Sequence, residues 1–145
     1  PFGRVLAVRS LDEGKTWSAP VTAINTPLDD RDAGIVNLGD NRLLLTSFTN
    51  SREMQRQCKE GRDDVKAQLV RAYVSLITEE QEARYCGSTV SISEDGGRTW
   101  GEPFLVPITA PHGPIRLRSG ALLYAGTPFP ASPQGAPYPI HVYGS

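Results

Sequence analysis

Short strand-length runs rich in apolar residues recur along this chain, and paired runs bracket polar, glycine-bearing turns. Arg4-Val5-Leu6-Ala7-Val8-Arg9 and Ser18–Ile24 flank one such turn. Ser88–Ile92 and Pro103–Val106 flank another. Runs of this length bounded by turn residues read as β-hairpins. Both turns are octapeptides of one pattern, Ser-x-Asp-x-Gly-x-Thr-Trp. Ser10, Asp12, Gly14, Thr16 and Trp17 form the first copy, and Ser93, Asp95, Gly97, Thr99 and Trp100 the second. The Asp carboxylate can accept bonds from turn N–H groups. Gly permits a positive φ, Thr bonds back to the turn, and Trp places a large ring between layers while its N–H needs a partner. These residues are therefore expected to organise turns rather than to carry catalysis.

A second internal similarity aligns Ala33–Leu45 with His112–Tyr124 without a gap, pairing Gly34 with Gly113, Leu38 with Leu117, Leu43 with Leu122 and Leu44 with Leu123. Both copies read as strand, polar turn, strand, so each repeat holds four antiparallel strands. The distance from Ser10 to Ser93 is 83 residues, too long for one such unit. Residues 51–86 account for the excess, because they read as helical. Asn50 with Glu53 predicts a capping box and Gly61 a stop. Val65, Leu69, Tyr73 and Leu76 follow helical spacing behind Asp63-Asp64 and are expected to pack on the sheets. Thr78-Glu79-Glu80-Gln81 predicts another capping box, closed by Gly87. Without these 36 residues the repeat is 47 long, close to the ~40–50 residues of a propeller blade.

The prediction is an all-β fold, a partial β-propeller with a helical insertion. Residues 1–26 would end one blade, 27–109 form a complete blade carrying the insertion 51–86, and 110–145 begin the next. Ile140–Ser145 resembles the strands before each octapeptide, with Ser145 as the first residue of a third copy. Nine strands would leave sheet edges unpaired, so the chain is expected to belong to a longer protein.

Composition narrows the partners. Fourteen Gly and twelve Pro suit a turn-rich β protein. A net charge of −1 offers no basic surplus, so neither nucleic acid nor an anionic membrane is expected as partner. No apolar run reaches the ~18 residues of a membrane span. Cys58 and Cys86 lack zinc spacing and have no nearby His, so no metal site is expected, and no cofactor either. A disulfide stapling the insertion and two free thiols both remain open.

The octapeptide resembles the Asp-box, or BNR repeat, of sialidases and related β-propellers. Asp29-Asp30-Arg31-Asp32-Ala33-Gly34-Ile35 and Ala110-Pro111-His112-Gly113-Pro114-Ile115, with the insertion between them, are similar to bacterial sialidase-like BNR-repeat proteins. The resemblance implies a six-bladed propeller with its active site at one end of the central channel. It also implies an arginine triad, an Asp acid/base and a Tyr–Glu nucleophile, the last an exception to the two-carboxylate rule. Those groups belong to blades outside this chain, so no catalytic residue is assigned here. The implied activity is release of terminal sialic acid, and the implied partner a sialylated glycan or other carbohydrate. The alternatives are a non-catalytic propeller that binds glycans or protein partners, and a glycosidase of different sugar specificity. The resemblance favours a secreted or periplasmic location.

Loop alternation in an up-and-down blade indicates where a site would lie. Asp29–Asp32, Pro111-His112, the insertion and Thr127–Pro139 are expected on the face opposite the octapeptides. Arg31, Asp32 and His112 are the candidate substrate-binding residues. Arg31 suits a carboxylate in a bidentate fork, Asp32 suits sugar hydroxyls or the orienting of Arg31, and His112 suits a glycan oxygen or proton exchange. Against this stands a structural pair of Arg31 with Asp32. Asp29 and Asp30 read as a solvated face. Tyr85, Tyr124, Tyr138 and Tyr143 are expected in the core more than against sugars.

Overall fold

The computed structural model describes residues 2–128 and 141–144. Among these residues the apolar runs form three antiparallel sheets. β1 (Val5–Ala7) pairs with β2 (Val21–Ile24). β3 (Arg31–Gly39), β4 (Arg42–Thr49), β5 (Gly87–Ser93) and β6 (Phe104–Val106) form a four-stranded meander in chain order. In the third sheet β7 (Ile108–Thr109) and β8 (Ile115–Arg116) both pair with β9 (Leu122–Pro128), which pairs with β10 (His141–Gly144).

The gapless alignment of the two repeats is reproduced in the strand register. Val36 lies opposite Leu44 and Asn37 opposite Leu43, as Ile115 lies opposite Leu123 and Arg116 opposite Leu122. Gly144 pairs with Leu123 where Ile92 pairs with Leu44. Gly144 thus occupies the place of the residue before the second octapeptide. Ser145, Tyr138 and most of the Thr127–Pro139 segment lie outside the described residues.

The sheets pack on one another through apolar faces and glycine contacts. Val5, Ala23, Ile24 and Leu45 form a cluster between the first and second sheets, with Ala7 and Trp100 packed against it. Val5, Ile24 and Leu45 each contribute about 1.5–3 kcal/mol on burial. Between the second and third sheets the backbones themselves touch. A Cβ at Gly34 would lie 2.1 Å from the His112 carbonyl carbon, and one at Gly113 would lie 2.7 Å from Thr46 Oγ1.

The insertion folds into α1 (Arg52–Gln57), α2 (Val65–Val74) and α3 (Glu79–Tyr85). Two details depart from expectation. The first helix is capped by Ser51, whose Oγ accepts from Met54 N at 3.2 Å. Asn50 instead offers its carbonyl to Gln55 Nε2 at 2.7 Å, so no Asn50–Glu53 box forms. The stripe of α2 is also rotated from the expected one. Ala67, Val70, Val74 and the following Ile77 are buried, whereas Val65, Leu69 and Leu76 are exposed. Both series fit helical spacing, and the smaller side chains face inward. Of the expected stripe Tyr73 makes a ring contact, edge-to-face with Phe2 at 4.9 Å. The third helix has the expected capping box, with Thr78 and Gln81 bonded reciprocally. Arg52 ties the first and third helices through Nε to Glu82 Oε2 at 2.6 Å and the backbone N to Oε1 at 2.7 Å. Cys58 is an exposed free thiol and Cys86 a half-buried one, the second of the two readings. Among the described residues no helix is long and apolar enough to cross a membrane.

Candidate functional site

The octapeptides fix one end of the sheets. In the first, Ser10 Oγ accepts from Gly14 N at 2.7 Å and donates to Asp12 Oδ1 at 2.8 Å. Thr16 donates N–H to Asp12 Oδ1 at 2.9 Å and its hydroxyl to Oδ2 at 2.7 Å. The second repeats each bond. Ser93 Oγ accepts from Gly97 N at 2.8 Å and donates to Asp95 Oδ1 at 2.9 Å. Thr99 donates to Asp95 Oδ1 at 2.9 Å and Oδ2 at 2.7 Å. Every carboxylate oxygen is engaged by the turn itself, so these acids are turn organisers. The tryptophans differ. Trp100 packs on the inter-sheet cluster. Trp17, expected between layers, is 62% exposed and donates Nε1 to Gly14 O at 3.1 Å. No described sheet covers its ring.

The bonds to Asp12 favour its charged form. Led by the Thr16 backbone N–H, then the Thr16 and Ser10 hydroxyls, they lower its pKa to about 2. Asp95 is lowered in the same way, chiefly by Thr99. A carboxylate depressed on folding adds stability above its unfolded pKa of roughly 4, and loses it as pH falls toward the folded value. Asp12 is therefore expected to stay ionised to about pH 2 in a side-chain NMR titration, with thermal stability falling between roughly pH 4 and 2. Titration of Asp12 in the ordinary carboxylate range would show that the turn bonds do not persist in solution.

The opposite end carries the candidates. Gly96 N donates to Asn41 O at 2.6 Å, so the second octapeptide lies against the β3–β4 turn. β3 runs nine residues away from that turn to Arg31, roughly 26 Å at the usual rise of a strand. Arg31 pairs with Phe48, and the neighbouring Thr49 pairs with Gly87. The insertion joins Thr49 to Gly87, so it stands at the Arg31 end.

Arg31 is held by Asp29 and not by Asp32. Its Nε donates to Asp29 Oδ2 at 2.7 Å, and its second terminal nitrogen lies 2.5 Å from the same oxygen. The Arg31 side chain remains 55% exposed. Asp29 and Asp30 are buried, contrary to the solvated face expected of them. The cause is a demand for acceptors in the loop before β3. Asp29 Oδ1 accepts from Gly3 N at 2.6 Å. Asp30 is 4% exposed and accepts Thr26 N at 2.8 Å and Thr26 Oγ1 at 2.9 Å. Burial raises the Asp30 pKa against the opposing pull of those two bonds.

Asp32 and His112 are both exposed and both left-handed, at φ +47° and +72°. Asp32 lies within the shift of register between Arg31 and Gly34 in β3. His112 precedes β8, its carbonyl against Gly34. Such a backbone costs of order 1 kcal/mol or more for a residue with a side chain and recurs at functional sites. Among the described residues neither side chain has a hydrogen-bond partner.

A cavity of about 50 Å³ opens beside Arg31 and Asp29, walled by Asn50, Gln55, Lys59 and Val70 of the insertion side. Asp32 and His112 do not line it. The sequence indicated that the insertion shares this end, but not that Gln55 and Lys59 reach it. Nothing in a polar helix of six residues marks which side chain turns inward. Tyr85 bonds Glu102 Oε1 at 2.7 Å, with Arg84 on the same oxygen at 3.0 Å. That bond raises the Tyr85 pKa and ties the insertion to the connection before β6. Tyr124 is half-buried against Ala110, and the Tyr143 side chain lies outside the described residues. No protein-family profile and no curated protein matches the chain.

Proposed function

We propose that this chain is part of a β-propeller glycoside hydrolase of sialidase type, which releases terminal sialic acid from glycoconjugates. In this reading the three sheets are successive blades, and β3 and β8 are inner strands facing a central channel. The catalytic set is completed by residues beyond these 145. The observation that carries the reading is the pair of octapeptides with one bonding scheme, set at the end opposite Arg31. That leaves Arg31, Asp32 and His112 at the end where loops alternate toward a ligand. Arg31 keeps N–H groups free of Asp29 that suit a substrate carboxylate. Asp32 accepts from sugar hydroxyls, and His112 donates to a glycan oxygen.

One observation favours a second reading, a propeller that binds glycans without cleaving them. Near Arg31 the two buried carboxylates are already engaged, Asp29 by Arg31 and Gly3 and Asp30 by Thr26, so neither is free to act as a general acid. The exposed Asp32 is left as the nearby carboxylate without a described partner. A fluorogenic sialoside assay decides between the two. The proposal expects hydrolysis by the protein and none from residues 1–145 alone. Glycan binding without hydrolysis by the protein establishes the second reading, and turnover by residues 1–145 alone refutes the placement of the catalytic groups outside them.

A further inference from the structure

The helix α2 carries apolar residues on two faces. Ala67, Val70 and Val74 are buried, and Ile77 just past its end is buried with them. Val65, Leu69 and Leu76 are 72%, 57% and 75% exposed, and Ala72 among them is exposed as well. At 3.6 residues per turn the two series centre about 150° apart, nearly opposite. The outer series advances by four, three and four residues, the spacing of a coiled-coil seam. Leu76 lies one residue beyond the Ser75 cap, and its N–H donates to Tyr73 O at 3.0 Å, so the helical path reaches it. Single apolar side chains on a surface need no explanation. A seam that runs unbroken over about three turns marks a contact.

We propose that a second copy of this chain covers the seam, with α2 against α2 in antiparallel order about a two-fold axis. The seam is palindromic about the point between Val70 and Arg71. An axis there sets Val65 against Leu76 of the second copy, and Leu69 against Ala72. The small Ala72 leaves room for Leu69, so each copy supplies both knob and hole in an isologous contact. The flanking positions fix the direction. They are Lys66, Gln68, Tyr73 and Ser75, with one charge among them. A parallel pair would set the two Lys66 ammonium groups side by side. The antiparallel pair holds them roughly 13 Å apart along the helices. It also brings each Lys66 to Ser75, the C-cap of the other α2, where a cation meets the negative end of the helix dipole. An anionic membrane would call for several basic residues beside the seam. Asp63, Asp64, Glu79 and Glu80 stand past its ends instead. A contact of three turns falls short of the ~1,200 Å² of a standard interface, so the dimer is weak, with Kd on the order of 0.1 mM. The inference does not rest on the glycosidase reading.

Sedimentation velocity of the protein from about 5 to 500 µM, a range that brackets this Kd, tests it. The expected result is a reversible monomer–dimer equilibrium. Leu69→Glu and Leu76→Glu are each expected to weaken it at least about tenfold, because each buries an unpaired charge in the seam. Both positions are exposed in the single chain, so the Tm of dilute protein should not change. Disulfide trapping reads the direction. In a mixture of Leu69→Cys and Ala72→Cys proteins, a link between positions 69 and 72 should form faster than one between two copies of position 69. Mass spectrometry separates both from links through the native Cys58 and Cys86. Monomer alone at about 500 µM overturns the proposal, as does a dimer that both glutamate variants leave intact. A faster link between two copies of position 69 also overturns it, in favour of a parallel pair. A monomer whose Tm falls in both glutamate variants overturns it too, and assigns the cover to the protein's own chain.

Discussion

Gly34→Ala is expected to destabilise the protein by at least about 3 kcal/mol, at the upper end of overpacking costs. The added Cβ would meet His112 C at 2.1 Å, His112 O at 2.3 Å and Gly113 N at 2.5 Å. All three are backbone atoms, so no rotamer change relieves the clash. Relief requires the third sheet to move away from β3. Gly113 is itself confined against Thr46, with φ at +76°, which blocks a small local shift. Denaturant unfolding of Gly34→Ala beside Gly61→Ala measures the effect. Gly61 has open space around its Cβ but φ at +70°, so its substitution should cost only the left-handed strain of about 1–2 kcal/mol. Equal losses in the two variants would mean that the second and third sheets are not in backbone contact.

Arg31→Ala and His112→Ala are each expected to lower kcat/KM for a sialoside by about 10- to 100-fold, the range of a lost charge-assisted hydrogen bond. Stability should scarcely change. The Arg31–Asp29 pair is more than half exposed on the arginine side, and such pairs contribute about 1 kcal/mol or less. Asp29 would keep its bond from Gly3 N. His112 is exposed, and its side chain bonds no described residue. Kinetics together with thermal melting separate the roles. Lost activity with a retained Tm assigns the residues to the ligand. Unchanged turnover and substrate binding with a lowered Tm makes them structural, the role first considered for Arg31 with Asp32.

Much of the scaffold was legible because it is local. The octapeptide carries its own bond acceptors and its own positive-φ glycine, so Ser10–Thr16 and Ser93–Thr99 repeat one set of bonds whatever surrounds them, and only the tryptophans answer to their neighbours. The gapless match of Ala33–Leu45 with His112–Tyr124 is likewise a pairing register written into alternating residues. What escaped depends on which neighbour arrives. Two stripes on α2 have equal helical spacing, and only packing within the fold, where α2 meets α1, selects Ala67, Val70 and Val74 over Val65, Leu69 and Leu76. Asp29 and Asp30 resemble a solvated acidic run until Gly3 and Thr26 bring their backbone donors. The partner of Arg31 turned on the left-handed backbone at Asp32, two-residue proximity to Asp29 prevailing over the adjacent acid. The inward turn of Gln55 could not be read at all, because a polar helix of six residues gains a buried side only once it is docked.

A crystal structure of the protein with bound sialic acid tests the placement of the site most directly. The sugar is expected at the Arg31, Asp32 and His112 end, with its carboxylate on the Arg31 guanidinium. A sugar seated on the Ser10–Trp17 or Ser93–Trp100 turns, at the other end of the strands, would contradict it.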